Sequence, residues 1–213
     1  MTTASQPRAA RGRRSSRPTG DDREQAILAT MARLLEQRSY REISVDDLAR
    51  GAGLSRPTFY FYFRSKEAVL VSLIEPLVER LTARFDEVAE RLADDPRAVV
   101  HEGIKAFFTA FNANRAIARA GTESLATSAE VRAVWSGFMQ RWIEATAAVI
   151  EAERARGAAP VTVPAHDLAT ALNQMNERTM MAVLTGETPA VPEDELVETL
   201  THIWVSAIYG PGA

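Results

Sequence analysis

The sequence contains no cysteine, which excludes disulfide bonds, thiolate nucleophiles and metal sites built on Cys ligands. It also lacks any run of about 18 apolar residues, the minimum for a membrane-spanning helix. The first 20 residues contain no apolar segment like that of a secretory signal. These absences predict a protein that works in a reducing cytoplasm and has no membrane partner.

The motifs that carry enzyme chemistry are also missing. No phosphate-binding loop, G-x-S-x-G or H-E-x-x-H occurs in the chain. The only histidines, His101, His166 and His202, are not spaced as a ligand set. We therefore expect no catalytic residues, no metal and no cofactor.

Charge is divided unevenly along the chain. Residues 1–70 carry a net charge of +5 and residues 71–213 a net charge of −8, so the front part is expected to meet an anionic partner. The alternative is an incidental imbalance, because five of the positive charges are arginines between residues 8 and 17. Residues 1–20 are predicted to be a disordered basic arm that contacts phosphates or a minor groove without choosing a sequence.

The pattern of capping residues predicts an all-α fold. Asp21, Ser44, Ser55 and Ser65 each precede a segment with helical periodicity. Further helices are predicted from Asp95 and Ser128 and over the ranges 115–121, 165–185 and 193–209. Pro76 lies inside the predicted fourth helix, where it cannot donate a hydrogen bond and is expected to cause a kink.

Five consecutive aromatic residues occupy positions 59–63, a third of the 15 in the chain. Ser55 and Pro57 are a helix-start signal, which favours a helix over a strand. At about 100° per residue, Phe59 and Phe63 share the core side. Phe61 then points away from the core, which is costly for solubility unless that face enters a partner.

Two short capped helices with "GAG" at 51–53 between them are typical of a helix-turn-helix, whose second helix lies in the DNA major groove. Thr58 is positioned to bond a base edge and Phe61 to contact a thymine methyl. The residues predicted to contact DNA, either at base edges or at phosphates, are Ser44, Ser55, Arg56, Pro57, Thr58, Tyr60, Phe61, Tyr62 and Lys66. The alternative is a small helical hairpin with an aromatic core.

The segment "ISVDDLARGAGLSRPTFYFYFRSKEAV" (43–69) resembles the DNA-binding signature of the TetR family of bacterial transcriptional regulators. The resemblance continues in the stretches 138–160, 164–179 and 202–210. It implies a three-helix head at 21–67 that contains the helix-turn-helix. It also implies a six-helix body at 68–213 for ligand binding and dimerisation.

Aromatic and Met side chains recur at helical spacing after residue 106, and each stripe alone is compatible with ordinary core packing. Asn173 and Asn176, on a helix otherwise rich in Ala, Leu and Met, favour a small-molecule cavity, because buried amides need partners. The resemblance implies a long apolar tunnel. The residues expected to line it are Phe107, Phe111, Trp135, Met139, Trp142, Thr146, Asn173, Asn176, Glu177, Met180 and Trp204.

An apolar stripe on the last helix predicts a dimer interface. It consists of Leu196, Leu200, Ile203, Ala207 and Ile208. The resemblance implies that the last two helices pair across a two-fold axis as a four-helix bundle, so that two heads read a palindrome. The alternative is a stripe that faces the interior of a single chain.

Together these features predict a ligand-responsive repressor that binds a double-stranded DNA operator as a homodimer and is released by an apolar small molecule. One alternative is an architectural or nucleoid-type DNA-binding protein whose cavity is vestigial. Another is a helical lipophile-binding protein or enzyme with a chance helix-turn-helix.

Overall fold

The computed structural model describes the backbone of residues 19–89 and 95–210, with all side chains except those of 84–89. Within these ranges the chain forms nine α-helices and one 3-10 helix and no strand, which confirms the predicted all-α fold. The α-helices are α1 (Gly20–Leu35), α2 (Val45–Gly51), α3 (Arg56–Tyr62), α4 (Lys66–Ala89), α5 (Pro96–Asn112), α6 (Arg115–Leu125), α7 (Ala129–Ala155), α8 (Ala165–Thr185) and α9 (Leu196–Tyr209). The 3-10 helix spans Tyr40–Glu42.

Capping side chains set most of the helix starts. Ser44, Ser55, Asp95 and Ser128 each accept a bond from the backbone N–H three residues on, as Ser65 does from Ala68 at 3.0 Å. Each such cap satisfies one of the backbone donors that a helix start leaves unpaired.

The first helix begins earlier than the prediction of a cap at Asp21. Its cap is Thr19, whose hydroxyl accepts from the N–H of Asp22 at 3.2 Å. Asp22 returns the bond by accepting from the N–H of Thr19 at 2.8 Å. The predicted cap at Asp21 was wrong by two residues because this reciprocal capping box is available upstream.

The first three helices form a small three-helix unit. The apolar face of α1 contributes Ile27 and Met31, both fully buried, and these pack with Leu48 of α2 and Phe59 of α3. Gly53 has φ 69° in the turn between α2 and α3, a conformation that a residue with a Cβ rarely adopts. The sharp turn sets α3 across α2 with one face outward.

Helix α4 joins this unit to the remaining helices. It packs against α1 on one side and against α5, α6 and α7 on the other. The buried side chains form one continuous core from Ile27 to Ile208. The packing therefore does not separate the predicted head at 21–67 from the predicted body at 68–213. The division into these two functional parts stays a prediction.

Pro76 is exposed and lies within α4, which is helical on both sides of it. The kink expected there stays a prediction. The basic arm and its five arginines lie outside the described residues. No helix within 19–89 or 95–210 has both the length and the hydropathy needed to span a membrane.

Candidate functional site

The aromatic run on α3 separates into an inner and an outer face. Phe59 is fully buried and Phe63 almost so, whereas 83% of the Phe61 side chain is exposed. Tyr60 is 45% exposed on one flank. Phe61 stands edge-on to Tyr62, with ring centroids 5.2 Å apart. The helical phase predicted from the sequence is therefore observed, and α3 presents an apolar tip between two hydroxyl-bearing rings.

The N-terminal turn of α3 is internally hydrogen-bonded. The hydroxyls of Ser55 and Thr58 lie 2.8 Å apart, and the Ser55 hydroxyl also accepts from the N–H of Thr58 at 3.3 Å. Arg56 donates to Asp46 at 2.7 Å and to the Tyr60 hydroxyl at 3.3 Å. These bonds hold the predicted contact residues in one orientation while leaving all of them near the surface.

The N-terminus of α2 is occupied by a carboxylate of the same chain. Asp47 accepts from the Ser44 N–H at 3.0 Å and from the Ser44 hydroxyl at 2.6 Å. These bonds to Ser44 lower the pKa of Asp47 to about 2, so the group is anionic at neutral pH. The N–H of Ser44 is thus already satisfied, which weakens the predicted phosphate contact at this residue.

Lys66 has a structural position that the sequence did not indicate. Its ammonium donates to the backbone carbonyls of Tyr40 and Ile43 at 3.1 and 3.0 Å. It also lies 4.2 Å from the centroid of the Tyr40 ring. Burial lowers the pKa of this ammonium. Two of its three N–H donors are used inside the head, so Lys66 stabilises the packing of the head; the predicted phosphate contact has only the third donor and stays a prediction.

Replacing Lys66 with methionine should therefore reduce stability more than DNA affinity. Loss of two charge-assisted hydrogen bonds to carbonyls is expected to cost about 2–3 kcal/mol of unfolding free energy, measured by denaturant titration. Arg41→Met, at an exposed position of the neighbouring 3-10 helix, is the control and should cost little. If stability were unchanged and the salt dependence of DNA binding were reduced, the result would instead support a phosphate contact by Lys66.

A cavity of about 140 Å³ lies among α5, α7, α8 and α9. Its wall is mostly apolar, and Leu81 of α4 closes one side. Eight of the eleven predicted tunnel residues line it. These are Phe107, Met139, Trp142, Thr146, Asn173, Asn176, Glu177 and Trp204.

A second, smaller cavity of about 30 Å³ lies between α4, α6 and α7. Two of the predicted tunnel residues, Phe111 and Trp135, line this cavity and not the first. Glu177 lines both. Met180 lines neither and is 1% exposed in the core, so its prediction as a ligand contact was wrong: its helix turns it away from both spaces.

An aromatic cluster forms the wall between the two cavities. The rings of Phe107 and Phe111 stack at 4.6 Å, and Trp142 meets Phe107 edge-on at 5.0 Å. Trp135 and Trp142 are also edge-on, at 6.1 Å. Such offset and edge-on pairs are the geometries that aromatic rings prefer, so the wall is shaped without a ligand.

The amides predicted to lack partners have them. The amide nitrogen of Asn173 donates to the Thr146 hydroxyl at 3.2 Å and to the carbonyl of Ala169 at 2.9 Å. The indole N–H of Trp204 donates to the side-chain oxygen of Asn176 at 2.8 Å. Within the described residues the amide nitrogen of Asn176 donates no bond, so it is a hydrogen-bond donor left to the cavity.

Two family models match the chain, one in its first part and one in its second. The model described as bacterial regulatory proteins of the tetR family matches residues 27–73, the helix-turn-helix and its supports. The model described as the C-terminal domain of the transcriptional regulator EthR matches residues 100–210, which supply most of the lining of both cavities. The chain belongs to the TetR family of bacterial transcriptional regulators.

Full-length TetR-family relatives agree with both models. The chain is 62% identical over 210 residues to the HTH-type transcriptional regulator EthR of Mycolicibacterium smegmatis, covering 99% of this chain and 97% of that protein. It is 58% identical over 213 residues to EthR of Mycobacterium tuberculosis H37Rv, covering 99% of each.

Solved TetR-family structures share the fold at low identity. A putative TetR-family regulator from Syntrophomonas wolfei superposes with a TM-score of 0.72 at 20% identity, covering 91% of this chain and 98% of that one. FadR of Thermus thermophilus, solved in complex with lauroyl-CoA, gives 0.63 at 18%, covering 89% and 95%.

In this TetR-family chain the predicted dimer stripe faces inward over most of its length. Leu196, Leu200 and Ile208 are buried against the chain's own core, and Ile208 lines the larger cavity. Ile203 is 37% exposed, and Ala207 is half-buried. The prediction of the first three as dimer contacts was wrong because α9 uses that face to pack on α5 and α8.

Sequence reasoning missed the part of the larger cavity formed by α5. Val99, Val100, Gly103 and Ile104 line it, although only the phenylalanines of this helix were singled out. The available signal was that these residues lie three, four, seven and eight positions before Phe107, on the same helical face. Tyr209 was also missed; it lines the cavity while its hydroxyl donates to Glu153 at 2.9 Å.

Proposed function

We propose that the chain is a repressor that binds a palindromic operator as a homodimer in the cytoplasm, acts without catalysis, and leaves the operator when an apolar small molecule fills the larger cavity. One observation carries the proposal. An apolar cavity that is already formed is lined in part by α4. The same helix directly follows α3, which exposes Phe61 to solvent.

The DNA contacts follow from the exposed face of α3. Phe61 meets thymine methyl groups, and Thr58 bonds a base edge as its hydroxyl turns from Ser55. Arg56, Tyr60 and Tyr62 approach phosphates on the flanks, which fix the orientation of the helix in the groove. Ser55 and Pro57 keep the N-terminal turn of α3 in place. Ser55 caps the helix, and the ring of Pro57 fixes its own φ at a helical value in the first turn.

The ligand contacts follow from the chemistry of the cavity. Aromatic and aliphatic walls bind an apolar body, and a few polar groups fix its direction. The unpaired amide nitrogen of Asn176 is suited to a ligand oxygen. A TetR-fold structure was solved in complex with lauroyl-CoA and another, from Saccharomonospora viridis, in complex with choline, which supports a small-molecule ligand for this chain.

Coupling between the two sites runs through two connections. Leu81 of α4 touches the larger cavity, and the same helix begins beside the head. Arg64, between α3 and α4, donates to Glu130 at the start of α7 at 2.6 Å. A ligand that displaces α4 or α7 therefore changes the direction of the head.

The dimer is proposed to form along the outer faces of α8 and α9. Ile203 supplies the exposed apolar contact and Ala207 a small one beside it. Two heads placed by a two-fold axis read half-sites about 34 Å apart, one turn of the duplex, or a multiple of that distance.

The test is a nuclease footprint on the DNA directly upstream of the chain's own gene. Protection of one palindrome, lost on addition of an apolar ligand, is the expected result. Uniform protection without a preferred site would point to an architectural DNA-binding protein. The absence of any protection, there or on a random-sequence library, would contradict a DNA-binding function.

A further inference from the structure

Glu177 occupies a distinctive place in the body. It lies on α8 where the two cavities approach each other and lines both of them. Every other residue that lines either cavity is apolar, aromatic or neutral and polar. The one carboxylic acid of the ligand region thus faces apolar walls on both sides.

The carboxyl group is only partly satisfied by the protein. The indole N–H of Trp135 donates to one oxygen, and within the described residues nothing donates to the other. Burial raises the pKa of Glu177, and the bond from Trp135 opposes this. No positively charged group contributes to that balance. Glu177 is partly buried, and a carboxylate that loses water without gaining a cation tends to recruit a proton or a partner.

The described residues that line the two cavities offer no competing charge. Tyr209 of α9 is the other titratable residue in the cavity walls; burial raises its pKa and its hydroxyl bonds Glu153. Arg178, next to Glu177 on α8, pairs with Glu187 at 2.5 Å. The linings from α4, α5, α6 and α7 carry no charge.

We propose that Glu177 selects the charge of the ligand: the cavities prefer an apolar molecule whose polar end donates hydrogen bonds, an alkyl ammonium above all, and reject one that ends in a carboxylate. The proposal rests on the ligand-binding function proposed above. The free carboxylate oxygen accepts from the ammonium, and the resulting pair is a charge-assisted bond in an apolar setting. An anionic end at the same place meets like charge.

Three probes of matched shape test the selection: 4-phenylbutylamine, 4-phenyl-1-butanol and 4-phenylbutyrate. They are titrated into the full-length protein without DNA, with excitation of tryptophan fluorescence. All three tryptophans of the chain line one cavity or the other, so the signal reports the site. The amine should bind about 10- to 100-fold more tightly than the butyrate, the range of one charge-assisted bond, with the alcohol between them.

Glu177→Gln should abolish the affinity order of amine, alcohol and butyrate, because the amide keeps the acceptor for Trp135 but loses the negative charge. Glu151→Gln, at an exposed position of α7, is the matched control and should preserve the order. Thermal melting checks that both variants fold. If the fold does not tolerate an amide in place of the Glu177 carboxyl, the order of the three probes in the unmodified protein still decides.

The pH dependence gives an independent readout. An alkyl ammonium stays protonated to about pH 10, so the change comes from the protein. Amine affinity should rise as pH increases through the raised pKa of Glu177, where the carboxyl loses its proton, while the affinity for the alcohol should not rise.

Charge selection would be overturned if the butyrate bound most tightly, if all three probes bound equally, or if the preference for the amine survived Glu177→Gln. Each of these outcomes would leave the proposed ligand function intact. Failure of all three probes to bind would overturn both. The two failures are therefore distinguishable in one set of titrations.

Discussion

Replacing Phe59 with alanine is expected to lower the free energy of unfolding by about 3–5 kcal/mol, the cost of removing a large ring from a packed core. Phe59 is fully buried, and its ring lies 6.2 Å from that of Phe63. The same truncation at Phe61 should leave stability nearly unchanged, because that ring is already in solvent.

Operator affinity should depend on Phe61, although stability does not. Phe61→Ala is expected to weaken binding by about 1–3 kcal/mol, the scale of a lost base contact. Both variants are compared by denaturant unfolding and by fluorescence anisotropy with the footprinted operator, at a temperature where both are folded. A destabilising Phe61→Ala with normal affinity would mean that α3 presents another face to the DNA.

Operator DNA is expected to weaken ligand binding by the same factor by which ligand weakens operator binding. Typical coupling free energies of about 1–3 kcal/mol correspond to about 5- to 150-fold. The reciprocity is a requirement of linkage if the ligand-bound arrangement of heads does not fit the operator. Titration of 4-phenylbutylamine with and without operator measures it, and a scrambled duplex is the control.

Two variants separate ligand binding from DNA binding. Asn176→Leu removes the free amide donor and the acceptor for Trp204, and Trp142→Ala opens the aromatic wall. Both should reduce ligand affinity while leaving operator affinity unchanged in the absence of ligand. Equal ligand affinity with and without operator would exclude the switch, even if the cavity binds its ligand.

Local signals in the sequence predicted the helices well. A capping serine acts through its own neighbours within three residues, so Ser44, Ser55 and Ser65 could be placed without knowledge of the tertiary structure. The outward position of Phe61 followed from helical phase alone. Eight of the seventeen residues that line the larger cavity were predicted, and they came from the resemblance to the family, because each stripe alone is compatible with ordinary core packing.

Long-range contacts explain the failures. The ammonium of Lys66 bonds carbonyls more than 20 residues away in sequence, and no local pattern predicts that. Leu200 belongs to an apolar stripe that could pack equally well against a partner chain or against the chain's own core. Only the tertiary packing of α9 shows which of the two it contacts. Met180 shares a helical face with Asn176 in sequence terms, yet its side chain turns into the core.

Helix α4 has a mechanical consequence. From Leu81 at the cavity to Lys66 at the head is about 22 Å along the axis, at 1.5 Å per residue. A tilt of about 5° at the cavity end moves the other end by about 2 Å over that length. In a symmetric pair of chains the two displacements add to about 4 Å, more than the 3.4 Å rise of one base pair. If α4 moves as one lever through Pro76, as the proposed coupling requires, a displacement of about 2 Å at each head would suffice for a loss of register on the duplex.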